Sequence, residues 1–155
     1  MIYFNCDYLE GGHPKILEKM LSTNMEQLTG YSTDHYCDSA RERIRQACGC
    51  PDADVHFLVG GTQTNLTAIA SILRPYQGVL AAHDGHIACH ETGAIEATGH
   101  KVLPIPCVDG KITADQVREF CHSHQTNTMR EHMVQPGMVY ISFPTEIAAF
   151  IPRRS

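Results

Sequence analysis

Residues 55–65 read Val-His-Phe-Leu-Val-Gly-Gly-Thr-Gln-Thr-Asn, and this stretch decides the predicted fold. Val55–Val59 is a short apolar run rich in β-branched residues, which is typical of a buried strand. Gly60-Gly61 permits a sharp turn, and Thr62 and Thr64 are predicted to cap the helix that follows. Free backbone N–H groups at a helix start bind anions. The stretch therefore predicts a phosphate site, although no complete nucleotide-binding motif is present.

The remaining chain alternates between apolar runs and amphipathic segments. Turn signals and spacing predict three further strands, at Gly78–Ala82, Lys101–Pro106 and Met138–Ser142. Helices are predicted at Pro14–Asn24, from an Asp34 cap to about Cys48, over His90–Thr98 and from a Thr113 cap, whereas His122–Gln135 is predicted to be an irregular loop. Strands that alternate with helices form parallel sheets with ligand sites at the carboxyl ends of the strands. We therefore expect an α/β fold with a mostly parallel sheet flanked by helices.

Composition excludes several classes of function. The net charge of −5 argues against nucleic-acid binding, and no apolar run is long enough to span a membrane. The N-terminus does not resemble a secretory signal, and the seven scattered cysteines fit reduced thiols better than a disulfide framework. Cys48-Gly-Cys50 is too closely spaced for the usual zinc-binding pair. These observations predict a cytoplasmic protein.

Three histidines follow the second predicted strand. His83, His86 and His90 lie within eight residues, and Glu91 follows them directly. One interpretation is a metal site on one helix face, although Asp84-Gly85 favours a turn between the histidines. A second is a single functional imidazole at the strand end, and a third is solvated loop histidines. Glu91 either caps the next helix or orients a histidine.

These residues together resemble the threonine aldolase and β-eliminating lyase family, whose members use pyridoxal 5′-phosphate (PLP) on the aspartate aminotransferase fold. The resemblance begins at Asn5-Cys6-Asp7 and includes Gly-Thr-Gln-x-Asn-Leu from Gly61. It continues through His-x-x-x-x-Glu-x-Gly from His86 to Val139–Ser142. It implies that the chain is part of the large PLP-binding domain of that fold.

The resemblance also implies roles for individual residues. Gly61 and Thr62 would hold the PLP phosphate, and His86 would stack on the pyridine ring and assist proton transfer. Cys6 stands where the family often has a serine near the substrate carboxylate. Glu146 falls near the position where some threonine aldolases place a second histidine close to the substrate hydroxyl. Cys6 and Glu146 are therefore the candidate substrate-binding residues.

The implied reaction is cleavage of a β-hydroxy amino acid to glycine and an aldehyde, and β-elimination is the alternative within the family. The implied partners are a small amino-acid substrate and further copies of the chain, in a dimer or a tetramer. Alternatives of another class are a small histidine-rich metal-binding domain and a non-catalytic remnant.

The family carries its Schiff-base lysine and the acidic partner of the pyridine nitrogen on later strands. The four lysines of this chain are not expected to replace that lysine; they are Lys15, Lys19, Lys101 and Lys111. We therefore expect residues 1–146 to be an N-terminal fragment of a PLP enzyme that is inactive alone. The atypical tail at residues 147–155 would then reflect truncation or a frameshift. The resemblance also implies that, in the parent sheet, strands missing from this chain separate Val55–Val59 from the other three strands, so we expect a gap in the sheet of the fragment.

Overall fold

The computed structural model describes residues 10–147, which form two compact units, residues 10–57 and residues 58–147. The prediction of one domain fragment over residues 1–146 with a separate tail stays a prediction. None of the helices in this part of the chain is long and apolar enough to cross a membrane.

The first unit contains two helices whose ends follow local sequence signals. Helix α1 spans Pro14–Thr23, with proline in its first turn and the His13 side chain accepting a hydrogen bond at the N-cap. Helix α2 spans His35–Cys48; the Asp34 carboxylate caps its start, and Gly49 ends it with a φ of 64°. The predictions for these two helices are confirmed to within one residue.

The strand predicted at Val55–Val59 is wrong, because these residues form no strand in the structure. Side chains occupy two of the backbone groups that a strand would use for pairing. Arg41 Nε donates a hydrogen bond to the Val55 carbonyl, and the Val59 N–H donates to Gln63 Oε1. The apolar composition indicated a buriable segment, but a strand also requires a hydrogen-bonded neighbour.

The second unit is an α/β layer built on a three-stranded parallel sheet in the order β2-β1-β3. Its elements are α3 (Gly61–Ile72), β1 (Gln77–Ala82), α4 (His86–Cys89), β2 (Val102–Ile105), α5 (Ala114–Thr126) and β3 (Gln135–Val139). The central strand β1 is buried on both faces, as expected when helices cover a parallel sheet. The predicted α/β class with a parallel sheet is confirmed.

Two apolar clusters hold this unit together, one on each face of β1. Val79 and Ala81 point to one face, and Leu80 points to the other, as the two-residue period of a strand requires. The first cluster is completed by Ile69, Leu73, Ile87, Ile95 and Val102, and the second by Leu103 and Ile105 with side chains of α5. Packing on both faces of the sheet therefore fixes the strands, and the strands fix the positions of the loops that follow their carboxyl ends.

The helix predicted over His90–Thr98 is wrong as a continuous element. Helix α4 ends at Cys89, and a short 3₁₀ turn covers only Glu96–Thr98. Thr92 and Gly93 both adopt positive φ, at 50° and 77°, which no helix interior tolerates. The segment is therefore a series of turns.

Two boundaries later in the chain also differ from the predictions. Helix α5 continues to Thr126, inside the segment predicted to be an irregular loop. Strand β3 spans Gln135–Val139 rather than Met138–Ser142. The first half of β3 was not predicted because it contains Pro136 and Gly137, and neither proline nor glycine favours the interior of a strand. The Thr113 cap of α5 is confirmed and forms a complete capping box with Gln116.

Candidate active site

The candidate site lies where the neighbouring strands β1 and β3 end. His86 opens α4 four residues after β1, and its backbone N–H donates to Ser142 Oγ at 3.4 Å. The Tyr140 N–H donates to the Leu80 carbonyl at 2.8 Å, which keeps the segment after β3 beside β1. The parallel topology therefore brings two loops together at one edge of the sheet, where α/β proteins bind ligands.

The His86 imidazole lies between two carboxylates. Its Nδ1 is 3.2 Å from Glu146 Oε2, and its Nε2 is 3.7 Å from Glu91 Oε1. His90 Nε2 is 3.8 Å from the same Glu146 oxygen. The His86 side chain is 41% exposed, whereas the Glu91 side chain is fully buried. Each His86 nitrogen thus faces a proton acceptor, while part of the ring remains open to a ligand.

Glu91 is anchored by a residue on helix α3. Asn65 Nδ2 donates to Glu91 Oε1 at 2.7 Å and lies 3.5 Å from the Tyr140 hydroxyl. Within the described residues, Glu91 Oε2 is buried and has no hydrogen-bond partner. A buried carboxylate oxygen without a partner is costly, so this oxygen indicates a place for a donor from a ligand or water.

The start of α3 departs from the prediction that Thr62 and Thr64 cap it. Gly60 is the N-cap and supplies no side-chain hydrogen bond. The helix begins at Gly61, so Thr62 already lies in its first turn, and the Thr64 hydroxyl donates to the Gly60 carbonyl at 2.9 Å. A hydroxyl that donates leaves the first N–H groups of the helix uncapped, as an anion site requires.

A glycine turn fixes the segment that carries Glu146. Asp109 and Gly110 adopt positive φ, at 53° and 68°, and the buried Thr145 packs directly against Gly110. A Cβ built on Gly110 would lie 2.7 Å from Thr145 Cβ. Lys111 follows this turn and lines a small cavity that Glu146 also lines. The turn after β2 therefore helps to set the position of a candidate site residue.

The three histidines do not form one cluster. His86 and His90 both approach Glu146, whereas His83 Nδ1 lies 3.3 Å from Cys107 Sγ. The interpretation that all three histidines bind one metal ion is therefore wrong. Since Asp84-Gly85 lies in the turn that separates His83 from α4, the side chains point to different neighbours.

Cys107 does not have the character of an activated nucleophile. Its thiol donates a hydrogen bond to Asp84 Oδ1 at 2.9 Å. Burial and the neighbouring Asp84 carboxylate raise the pKa of the Cys107 thiol above its ordinary value. Because the thiolate is the nucleophilic form, this environment makes Cys107 less reactive at neutral pH.

The structure brings together some of the predicted site residues. His86 and Glu146 are in contact, and Gly61 and Thr62 form the first turn of the helix that carries Asn65. Cys6 lies outside the described residues. Sequence reasoning assigned no role to three residues of the site, Asn65, Tyr140 and Ser142. All three stand inside the motif stretches, so their positions in those motifs were the available signal.

Comparison with known proteins gives one family and several relatives. The family model described as β-eliminating lyase matches residues 4–149. Low-specificity L-threonine aldolases from a Pseudomonas species and from Pseudomonas aeruginosa are each 27% identical, over 94% and 93% of this chain. The chain spans 41% of the length of these relatives.

A solved structure of threonine aldolase from Leishmania major is 49% identical over 93% of this chain, with a TM-score of 0.87. This chain covers 41% of that structure. The predicted fold, part of an aspartate aminotransferase-like large domain, is confirmed by this match.

Proposed function

Because this chain belongs to the β-eliminating lyase family, we propose that it forms part of the site of a PLP-dependent amino-acid lyase. The proposed reaction is cleavage of a β-hydroxy amino acid to glycine and an aldehyde. The names of the similar proteins support this reaction over β-elimination, since those relatives and the similar structure are threonine aldolases. The observation that carries the proposal is the His86 ring held between the Glu91 and Glu146 carboxylates.

The residues present fit a phosphorylated aromatic cofactor. The uncapped N–H groups of Gly61 and Thr62 suit its phosphate, and the partly exposed His86 ring suits stacking on its pyridine. The buried Glu91 Oε2, which has no hydrogen-bond partner among the described residues, supports the proposal because it can accept a further hydrogen bond. When bound, PLP supplies an electron sink for the electron pair left on the substrate carbon.

The carboxylates around His86 support a role for its imidazole in holding and moving a proton. A carboxylate only accepts hydrogen bonds, so the contact with Glu146 assigns a proton to His86 Nδ1. We propose that His86 takes part in proton transfer and that Glu146 orients it near the substrate. Glu91, fixed by Asn65, holds the opposite edge of the ring. Cys6 remains proposed as a contact of the substrate carboxylate.

Assembly and location form a second part of the proposal. We propose that the complete protein is a cytoplasmic homo-oligomer, a dimer or a tetramer. Helix α1 supports self-association, because four large apolar side chains are 52–79% exposed on it: Ile16, Leu17, Met20 and Leu21. Light scattering of the complete protein after gel filtration tests its oligomeric state. A complete protein that is monomeric at micromolar concentration would contradict the proposal.

Cofactor binding can be tested by NMR with three additives: pyridoxamine 5′-phosphate, pyridoxamine and inorganic phosphate. Pyridoxamine compounds carry no aldehyde, so they do not attach covalently to Lys111 beside the site. We expect the two phosphate-bearing additives to shift the amide signals of Gly61 and Thr62. We expect the two pyridine-bearing additives to shift the ring signals of His86.

The start of α5 provides the matched control for this experiment. The Thr113 capping box occupies the N–H groups of Thr113 and Gln116, so their amide signals should stay unchanged. Equal responses at both helix starts would indicate nonspecific anion binding. No response at Gly61 and Thr62 would contradict the proposed phosphate site.

An assay of turnover tests whether the chain alone is inactive, and any product formed would separate the two reactions of the family. We expect the chain alone to release no product from L-threonine and PLP, because no lysine is assigned to hold the cofactor. Acetaldehyde and glycine would overturn that expectation and support aldol cleavage. Release of 2-oxobutanoate and ammonia would instead indicate β-elimination.

A further inference from the structure

Three side chains with metal-binding atoms converge beside the candidate active site. His83 and Asp84 follow β1, and Cys107 follows β2. Cys107 Sγ is 3.3 Å from His83 Nδ1 and 2.9 Å from Asp84 Oδ1, and the three ligand atoms all lie within 4.8 Å of one another. None of these residues has a role in the proposed lyase chemistry.

The backbone holds the two contributing loops together. The His83 N–H donates to the Ile105 carbonyl at 2.9 Å, and the Gly85 N–H donates to the Ala82 carbonyl at 2.9 Å. A bridge between Val108 and Lys111 closes the turn after Cys107. The distances between the three side chains are therefore set by the sheet and by two tight turns. A preformed arrangement lowers the ordering cost of binding a ligand.

We propose that His83, Asp84 and Cys107 form a three-ligand site for a divalent transition metal, with Zn²⁺ as the favoured ion. A thiolate, an imidazole and a carboxylate are the three ligand types that Zn²⁺ uses in proteins. Three protein ligands leave the fourth tetrahedral position open for water or a small ligand. His83 is exposed and the other two are partly buried, so the ion can reach the site from solvent on the His83 side.

The distances are close to those that tetrahedral zinc requires. Zn–S and Zn–N bonds of about 2.3 Å and 2.0 Å place the two ligand atoms about 3.5 Å apart. Relative to that value, the observed Sγ–Nδ1 separation of 3.3 Å needs to widen by about 0.2 Å and the observed Sγ–Oδ1 separation of 2.9 Å by about 0.6 Å. A rotation of the exposed His83 side chain can supply the smaller movement, whereas the larger one requires the partly buried Asp84 and Cys107 side chains to move apart.

Metal binding would exchange one proton for one metal–sulfur bond. Without metal, the Cys107 S–H donates a hydrogen bond to Asp84 Oδ1. Formation of the Cys107 S–Zn bond breaks the S–H bond and releases that proton to the buffer, while the Asp84 carboxylate becomes a ligand. No oxidation or reduction takes place. The calorimetric heat of binding should therefore depend on the buffer, with release of about one proton per metal.

The test uses the whole chain, stripped of metal and titrated with Zn²⁺ or Co²⁺ without PLP. We expect one equivalent to bind, and Co²⁺ to give a thiolate charge-transfer band and the strong visible absorption of a tetrahedral site. Cys107→Ala should abolish the charge-transfer band and weaken Zn²⁺ binding by more than about 100-fold. This loss exceeds the one expected when a residue that only contacts a metal ligand is replaced. Asp84→Asn should weaken Zn²⁺ binding and keep the band.

A double variant at the Cys48-Gly-Cys50 pair is the matched control, since these exposed thiols are the obvious competing ligands. Replacing both with serine should leave affinity and spectrum unchanged. Loss of the band in this control, its survival in Cys107→Ala, or the lack of stoichiometric binding by the original chain would overturn the proposal. Circular dichroism of each variant reports whether it is folded. Because PLP is left out, the result does not depend on the proposed lyase function.

Discussion

Replacement of Gly61 by proline tests whether a single backbone N–H of α3 binds the cofactor phosphate. Gly61 is the first residue of the helix, and the first intrahelical bond is donated by Thr64, so the Gly61 N–H is free for a ligand. Proline is favoured at this helix position. Gly60 is extended, with φ −163° and ψ 167°, as a residue before proline should be. A Cβ on Gly61 would meet no atom within 4 Å.

Gly61→Pro therefore removes one hydrogen-bond donor while it preserves the helix. A hydrogen bond to a charged group contributes about 1.5–3 kcal/mol, and the lower end applies because Gly61 is exposed. We expect pyridoxamine 5′-phosphate to bind about tenfold more weakly. Gly61→Ala keeps the N–H and adds the same Cβ, so it is the matched control and should bind as the original chain does.

Calorimetric titration of the three proteins measures this difference, and thermal unfolding verifies that each variant is folded. Equal affinity of the proline and alanine variants would refute the assignment of the phosphate to this N–H group. Equal weakening of both variants would show that crowding by the Cβ, rather than loss of the donor, reduces binding.

Three further predictions concern stability and protonation. Asn65→Ala should lower the free energy of unfolding, measured in urea, by about 2 kcal/mol, because it removes the hydrogen-bond donor of the buried Glu91 carboxylate. A loss below about 0.5 kcal/mol would contradict this pairing. Gly78→Ala should lower the free energy of unfolding by about 1–3 kcal/mol, since its Cβ would lie 2.5 Å from the Lys101 carbonyl oxygen. Gly61→Ala, whose Cβ meets no atom within 4 Å, should change it by less than about 0.5 kcal/mol. Similar losses in the two variants would refute this difference. Hydrogen bonds from the Cys37 thiol and N–H lower the pKa of Asp34. The Asp34 carboxylate therefore stabilises the fold at pH values above its unfolded-state pKa, and this stabilisation is lost as pH falls through its folded-state pKa. Titration followed by carboxyl NMR should give a midpoint below 3.8.

Elements with strong local signals were predictable from the sequence. Asp34 and Gly49 bound α2 as predicted, because a capping carboxylate and a left-handed glycine act within one helical turn. The apolar runs of β1 and β2 were also correctly predicted as strands, since both contribute to the two core clusters. In these cases a few neighbouring residues contain the whole physical cause.

Elements that depend on distant partners were not predictable. Val55–Val59 has a strand composition, but pairing is decided by what lies beside it. The bond between Asn65 and Glu91 joins residues 26 positions apart. The contact between His86 and Glu146 joins residues 60 positions apart. Family resemblance identified several of these residues, but only the folded chain shows which of them are in contact.

The packing of Thr145 on Gly110 also constrains how this sequence can change over evolution. A side chain at position 110 would overlap Thr145, and the positive φ at Gly110 disfavours β-branched residues in particular. Because the overlapping atom is Thr145 Cβ itself, serine or alanine at position 145 would keep the overlap, and only glycine there would remove it. We expect the two positions to be coupled among related sequences, with glycine retained at position 110 wherever the residue before the site carboxylate carries a Cβ.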